Sequence, residues 1–353
     1  MRNRPRTICN GWLPRCFFLL LLIAGAITQA QEAKPGKAAG AAASDVGNVE
    51  DWTSLSLADS QLHPQKPIYG ETDDFPKFTR ELIQVKWRQG DPINLYIIRP
   101  KGVDHPPVIL YLYSYPSETD RFRNDAYCER ITDGGFAAVG FVSALTGQRY
   151  SNRPMKQWFV SELQEALAST VHDVRMILDY LSTRGDLDLS KVGMFGEGSG
   201  GTIAILSAAA DSRIQTIDVL TPWGDWPDWM TKSLLIPEEE RPNFIKPEFL
   251  KKIAPLDPVA WLPRLKTQHV RIQQVTDDSN TPETAQERIK AAAPSSAQVV
   301  NYENLKQFFA SAGGGRIFLW SKAQLRPAAP SPVAPQNVQK SQPDVGRVES
   351  SSD

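Results

Sequence analysis

Apolar positions fall into two kinds of run along the chain. Residues 107–113 and 136–142 are apolar without alternation, which predicts strands buried on both faces. Residues 78–87 alternate loosely. A turn at Gln89-Gly90-Asp91-Pro92 and a second run at 93–98 complete a predicted hairpin. Between residues 161 and 183, Leu163, Leu167, Val171, Val174, Leu178 and Leu181 recur at spacings of three and four. That stripe predicts a long amphipathic helix, with His172 beside it as a helix-surface or edge-of-core histidine. Residues 120–133 predict a helix carrying Cys128. Strands are predicted at 214–220, 269–275 and 297–302, with a helix at 281–293. Strands alternating with helices predict an α/β fold, with a mostly parallel central sheet covered by helices on both faces.

A short apolar run, Val192-Gly193-Met194-Phe195, enters Gly196-Glu197-Gly198-Ser199-Gly200-Gly201, and a helix-like run to residue 210 follows at once. A strand turning this sharply into a helix lifts one side chain above the sheet, as in the nucleophile elbow G-x-S-x-G. Gly196 and Gly200 take the outer glycines, and Gly198 stands where the serine belongs. Together with Ile272-Gln273-Gln274-Val275-Thr276-Asp277-Asp278 farther on, this order of elements resembles the α/β-hydrolase superfamily, in its prolyl-oligopeptidase-like and dienelactone-hydrolase-like branches. The resemblance spans roughly residues 65 to 325. It implies an α/β-hydrolase fold with a small cap insertion at about 222–262. It also implies a triad in the chain order nucleophile, acid, histidine. On that pattern Gly198 is the vacated nucleophile position and Asp278 the acid, with Asp277 as alternative. A plain acidic turn before Thr281-Pro282-Glu283-Thr284 is the other reading of this pair. The oxyanion N–H groups would come from Ser199 and from Ser114 or Tyr115. Aligning Tyr302-Glu303-Asn304-Leu305-Lys306-Gln307-Phe308 with the family's last loop puts Gln307 at the vacated histidine position.

Acyl transfer needs a nucleophile, a base within reach and a group that orients the base. Gly198 has no side chain, no histidine follows His269, and a glutamine amide has no useful basicity. Ser199 is the alternative nucleophile. That register would place Glu197 where the turn wants a small residue, and still leaves no base; otherwise Ser199 caps the following helix. His105 and His269 begin strands, whereas function in open α/β sheets sits at the carboxyl ends. His63 lies in the approach segment, from which it would have to fold over the site. Glycine at the tip relieves the backbone strain that a nucleophile would impose. The expectation is a hydrolase fold without serine-hydrolase catalysis, its cleft kept for binding or structure. The alternatives are an active esterase or peptidase using Ser199 or an unconventional base, and an envelope protein scaffold docking through a Trp-rich cap. Within that cap Trp223, Trp226 and Trp229 either line a ligand pocket or anchor the insertion to the core. Residues 237–241 and 249–252 read as solvated helical pieces. The loop with Arg149 and Arg153 would bring cations to the site mouth.

Composition narrows the partners. Lys+Arg number 39 against 40 Asp+Glu, so there is no electrostatic case for nucleic acid or an anionic membrane. Arg2, Arg4, Arg6 and Arg15, an apolar stretch at 16–27 and Thr28-Gln29-Ala30 read as a secretory signal over 1–30. The apolar stretch is short for a span of about 20 residues, so no stable membrane span is expected after cleavage, and the protein should be secreted or periplasmic. Residues 31–63 read as a flexible linker and 64–326 as the folded domain. Residues 327–353, rich in Pro, Ser, Ala and Gln, read as a disordered tail. Cys9 and Cys16 would leave with the signal, and Cys128 alone cannot form an internal disulfide. No motif calls for a cofactor or a metal. The expected partner is a small ligand or another envelope protein.

Overall fold

A computed structural model describes residues 50–57, 60, 62–88, 91–146 and 159–326. The signal segment, the linker up to residue 49, the turn at 89–90, the loop at 149–154 and the tail from 327 lie outside the described residues. Nine strands form one sheet: β1 (Ile68–Asp74), β2 (Phe78–Arg88), β3 (Asp91–Pro100), β4 (Pro107–Leu112), β5 (Ala137–Phe141), β6 (Asp188–Glu197), β7 (Ile214–Leu220), β8 (His269–Val275) and β9 (Gln298–Tyr302). Their order is β1-β2-β3-β5-β4-β6-β7-β8-β9. The first three strands are antiparallel, β3 meets β5 antiparallel, and β5 through β9 run parallel.

The unbroken apolar runs become the two central strands because both faces of the sheet are covered. Val108, Leu110 and Leu112 of β4 point into one core with α2 (Leu163–Ser182) and α3 (Ser199–Ala210), while Ile109 and Tyr111 point into a second, aromatic core. The helix predicted at 120–133 is a 3-10 turn followed by α1 (Asp125–Thr132), which starts on Asn124 as N-cap and faces the aromatic core. Before β8 lie four short cap helices: α4 (Trp226–Lys232), α5 (Arg241–Phe244), α6 (Pro247–Ile253) and α7 (Pro258–Trp261). Asp257 docks this segment, accepting from the backbone N–H groups of Asp225, Trp226 and Val259 at 3.0–3.1 Å. The helix predicted at 281–293 is α8 (Glu283–Ala292), and two unpredicted helices follow β9, α9 (Leu305–Ala312) and α10 (Leu319–Leu325).

His172 is not at a helix surface. It is buried, with Nε2 2.9 Å from the Ser54 carbonyl and Nδ1 against the Glu50 carboxylate. Arg88 also grips Glu50, at 2.5 and 2.6 Å, and contacts Asp173, which accepts from the Trp87 indole at 2.8 Å. This cluster and the buried Leu55 fasten the chain from Glu50 onward, so packing begins ahead of residue 64.

Candidate functional site

The carboxyl ends of the parallel strands open into a cavity of about 860 Å³ centred on the elbow. β6 ends at Glu197, α3 begins at Ser199, and Gly198 between them has φ 55° and ψ −119°. This is the conformation that the sequence motif predicts, and only glycine takes it without steric cost. The helix starts hard against the sheet. A Cβ on Gly200 would lie 2.1 Å from the Leu112 carbonyl oxygen, and one on Gly196 would lie 2.4 Å from the Gly200 oxygen. The spacing of the outer glycines is therefore a packing requirement, independent of chemistry.

The space above Gly198 is occupied. A Cβ there would fall 2.4 Å from Ser114 Oγ, 2.9 Å from Ser114 Cβ and 3.2 Å from Trp223 Nε1. Ser114 and Tyr115, the expected oxyanion segment, stand at the end of β4 beside the elbow, followed by a cis Tyr115–Pro116 bond. The Tyr115 N–H does not face an empty hole: it donates to Ser199 Oγ at 3.0 Å. Ser199 is fully buried in the first turn of α3 and does not line the cavity. Its hydroxyl bridges helix and loop.

Asp278 follows β8 and lines the cavity, while Asp277 is exposed. Burial pushes the Asp278 carboxyl above its ordinary range, against hydrogen bonds from Asn280 N–H (3.0 Å), Thr281 and Thr221. Gln307 is not in the cavity. It sits in the first turn of α9, exposed, where its Oε1 accepts from Glu303 N–H at 2.5 Å and its own N–H donates to Asn304 at 2.9 Å. The segment read as an open loop is a capped helix, and Leu305, Phe308 and Phe309 face the cavity instead. All four histidines are described, and none lines the cavity.

Of the three tryptophans, Trp223 alone reaches the cavity. Trp226 and Trp229 are buried, packed edge-on at 5.7 Å, with Trp229 also 5.0 Å from Trp223. They anchor the insertion to the α2–α3 side of the sheet, so the insertion is no lid over the elbow. Its residues Phe249 and Leu250, expected on a solvated piece, pack against the main core.

Several lining groups carried no sequence signal. Arg121 pairs with Glu197 at 3.2 Å and lies 4.1 Å over the Tyr113 ring. The hydroxyls of Tyr113 and Tyr127 are hydrogen-bonded to each other, and burial pushes both phenols up. Neither is a base near neutral pH. These groups converge from a loop, a strand end and α1, which share no spacing in sequence.

No protein-family model matches this sequence, and no curated protein does either. Solved structures do match. Acetyl xylan esterase 1 from Thermoanaerobacterium sp. JW/SL YS485 is similar with a TM-score of 0.58 at 15% identity, covering 72% of this chain and 88% of that one. The acetyl xylan esterase from Paenibacillus sp. R4 gives 0.52 at 17%, covering 69% and 82%. Est1E from Butyrivibrio proteoclasticus gives 0.50 at 14%, covering 69% and 99%. At such identities the likeness is one of fold, and it agrees with the strand order and the elbow: the chain has the α/β-hydrolase fold.

Proposed function

We propose that this protein is a non-catalytic member of its fold, exported from the cytoplasm, whose cleft binds a small ligand. One observation carries the reading. The position of a nucleophile side chain at Gly198 is filled by Ser114 and Trp223, in a cavity that none of the four histidines lines. Ser199 does not replace the nucleophile, because its Oγ is buried, turned from the cavity and engaged by Tyr115 N–H. Asp278 keeps the acid's place with no imidazole to orient. A cavity of about 860 Å³ is within the size range of small-molecule sites, and its aromatic walls suit a ligand with an apolar body. Export rests on the basic and apolar pattern of residues 1–30 alone. Among the described residues no helix is long and apolar enough to cross a membrane.

The test is ester turnover by purified protein with p-nitrophenyl acetate and butyrate, beside labelling by a fluorophosphonate. The expected result is no rate above buffer that Ser199→Ala removes, and no labelled serine. Turnover abolished by Ser199→Ala, or a labelled Ser199, would overturn the reading.

A further inference from the structure

The elbow cavity does not end at its aromatic wall. Arg130, Gly314 and Gly315 line it and also line a second cavity of about 620 Å³. The two meet across the turn Gly313-Gly314-Gly315, where φ of +69° and +90° at the last two residues favours glycine, which puts no Cβ into either cavity. Their charges are opposed once ion pairs are set aside. At the elbow end stand the carboxylates Glu197, paired with Arg121, and Asp278. The far end is lined by Lys77, Lys101, Arg130, Arg316 and Lys322 against only Glu129 and Asp133. Lys77 is neutralised by Glu129 at 3.1 Å and Lys101 by Asp74 at 2.7 Å. Lys322 is buried and spends its ammonium on the Arg130 and Asp133 carbonyls at 3.0 and 2.6 Å, capping α1. Arg130 and Arg316 are exposed and neither is in an ion pair among the described residues; Arg316 spends one Nη2 hydrogen on the Ala310 carbonyl at 2.5 Å and keeps its other donors. Arg316 directly follows the glycine turn, and the Arg130 side chain packs against Gly315.

We infer that the ligand is an amphipathic organic anion, its apolar or aromatic body lying against Trp223, Phe308 and Phe318 and its acidic group reaching Arg130 and Arg316 across the glycine turn. This rests on the reading that the cleft binds rather than cleaves. Arg121 neutralises Glu197, so Asp278, which is in no ion pair among the described residues, sets the direction: an anionic group placed beside it meets like charge. Guanidinium groups suit the far end, since each offers a planar fork of donors to a carboxylate or sulfate.

A matched pair of probes tests this on the full chain: 8-phenyloctanoate and its methyl ester, which differ by the charge. Binding is followed by calorimetry, and the ester is assayed for hydrolysis in the same samples. The acid should bind at least tenfold more tightly than the ester. Arg130→Gln with Arg316→Gln should remove that gap and leave ester affinity unchanged, and Arg130→Lys with Arg316→Lys should restore part of it. Both arginines are exposed, and circular dichroism checks folding, because Arg316 also bonds the Ala310 carbonyl of α9. Raising salt from about 20 mM to about 0.5 M should narrow the gap. Equal affinity of acid and ester, no binding of either, or a gap indifferent to the arginines overturns the inference. Hydrolysis of the ester that Ser199→Ala removes overturns the non-catalytic reading instead, so the two failures are distinguishable.

Discussion

Placing a side chain on Gly198 tests whether the nucleophile position is filled. Gly198→Ala forces a left-handed φ of 55° on a residue with a Cβ, which costs about 1–3 kcal/mol. The new atom would also stand 2.4 Å from Ser114 Oγ and 2.9 Å from its Cβ, where ordinary contact needs more than 3.4 Å. Overpacking of this kind costs about 1–3 kcal/mol. The expected loss is therefore about 2–6 kcal/mol, read from the urea midpoint by circular dichroism. Ser114→Gly removes both offending atoms, so a double-mutant cycle should recover at least about 1 kcal/mol of coupling, leaving the backbone share behind. Ser114→Ala should recover less, because its Cβ remains at 2.9 Å. A loss below about 1 kcal/mol for Gly198→Ala, or no coupling to Ser114, would refute the claim that this space is taken. Gly198→Ser carries the same penalty and should hydrolyse no ester, alone or with Gln307→His, since residue 307 caps α9 and does not reach the cavity. Turnover in either variant would contradict that placement.

Three further outcomes follow from the buried charges. Asp218 is wholly buried, held by Arg271 at 2.6 and 2.9 Å, by Gln273 and by Ser321 of α10, so Arg271→Leu should cost about 3–5 kcal/mol in the urea midpoint by leaving that carboxylate unpaired. Burial works against the Glu50 carboxylate, but His172 and Arg88 override it and hold the group at about 2, below its ordinary 4.5. Because the folded-state value is the lower one, this stability is complete above 4.5 and is lost as pH falls through about 2; it amounts to about 3 kcal/mol, and Glu50→Gln should flatten that acid limb in unfolding measured from pH 6 downward. Asp278 is shifted the other way, so its charge opposes folding at neutral pH and the penalty lifts as pH falls through the raised folded-state value. Asp278→Asn keeps the acceptor for Asn280 N–H and should leave the melting temperature unchanged or higher, whereas a loss beyond about 1 kcal/mol would show that the ionised carboxylate is needed.

The parts legible in the sequence were those where burial writes a period. β4 and β5 are covered on both faces, α2 carries one long stripe, and β2 of the hairpin alternates, so each follows from apolar spacing. The elbow was legible because close approach of α3 to the sheet demands glycine at fixed offsets. β1 was not, because it is an exposed edge strand held by backbone bonds to β2, with Ile68 and Tyr69 facing solvent. α9 was missed for a different reason. Its cap Asn304, the return bond from Gln307 and the pair Phe308 and Ala312 are all visible in sequence, but the family pattern reserves that stretch for a loop. The local signal was the better guide there. The cavities' cations were beyond reach in principle: Arg121 and Arg130 meet at the elbow cavity, and Arg130 and Arg316 at the second, only through packing of the 3-10 turn, α1 and the chain after α9.

Gly198 also explains why the elbow turn persists with glycine at its tip. Its N–H donates to the Leu220 carbonyl at 2.9 Å, and its own carbonyl accepts from Thr202 at 3.2 Å and Trp223 at 3.4 Å. One residue thus ties β6, the end of β7, the first turn of α3 and the start of the insertion. The sharp turn is required for those bonds whatever stands on its Cα. A side chain at that point strains the backbone and, here, collides with Ser114, while a hydrogen meets neither objection. Gaining a nucleophile would require at once a smaller residue at 114, an imidazole from a helix that now presents Phe308 and Phe309, and release of Tyr115 N–H from Ser199. Each step taken singly should lower stability and yield no turnover. On the proposed non-catalytic reading, the packing around the elbow bars the chemistry, rather than one missing hydroxyl.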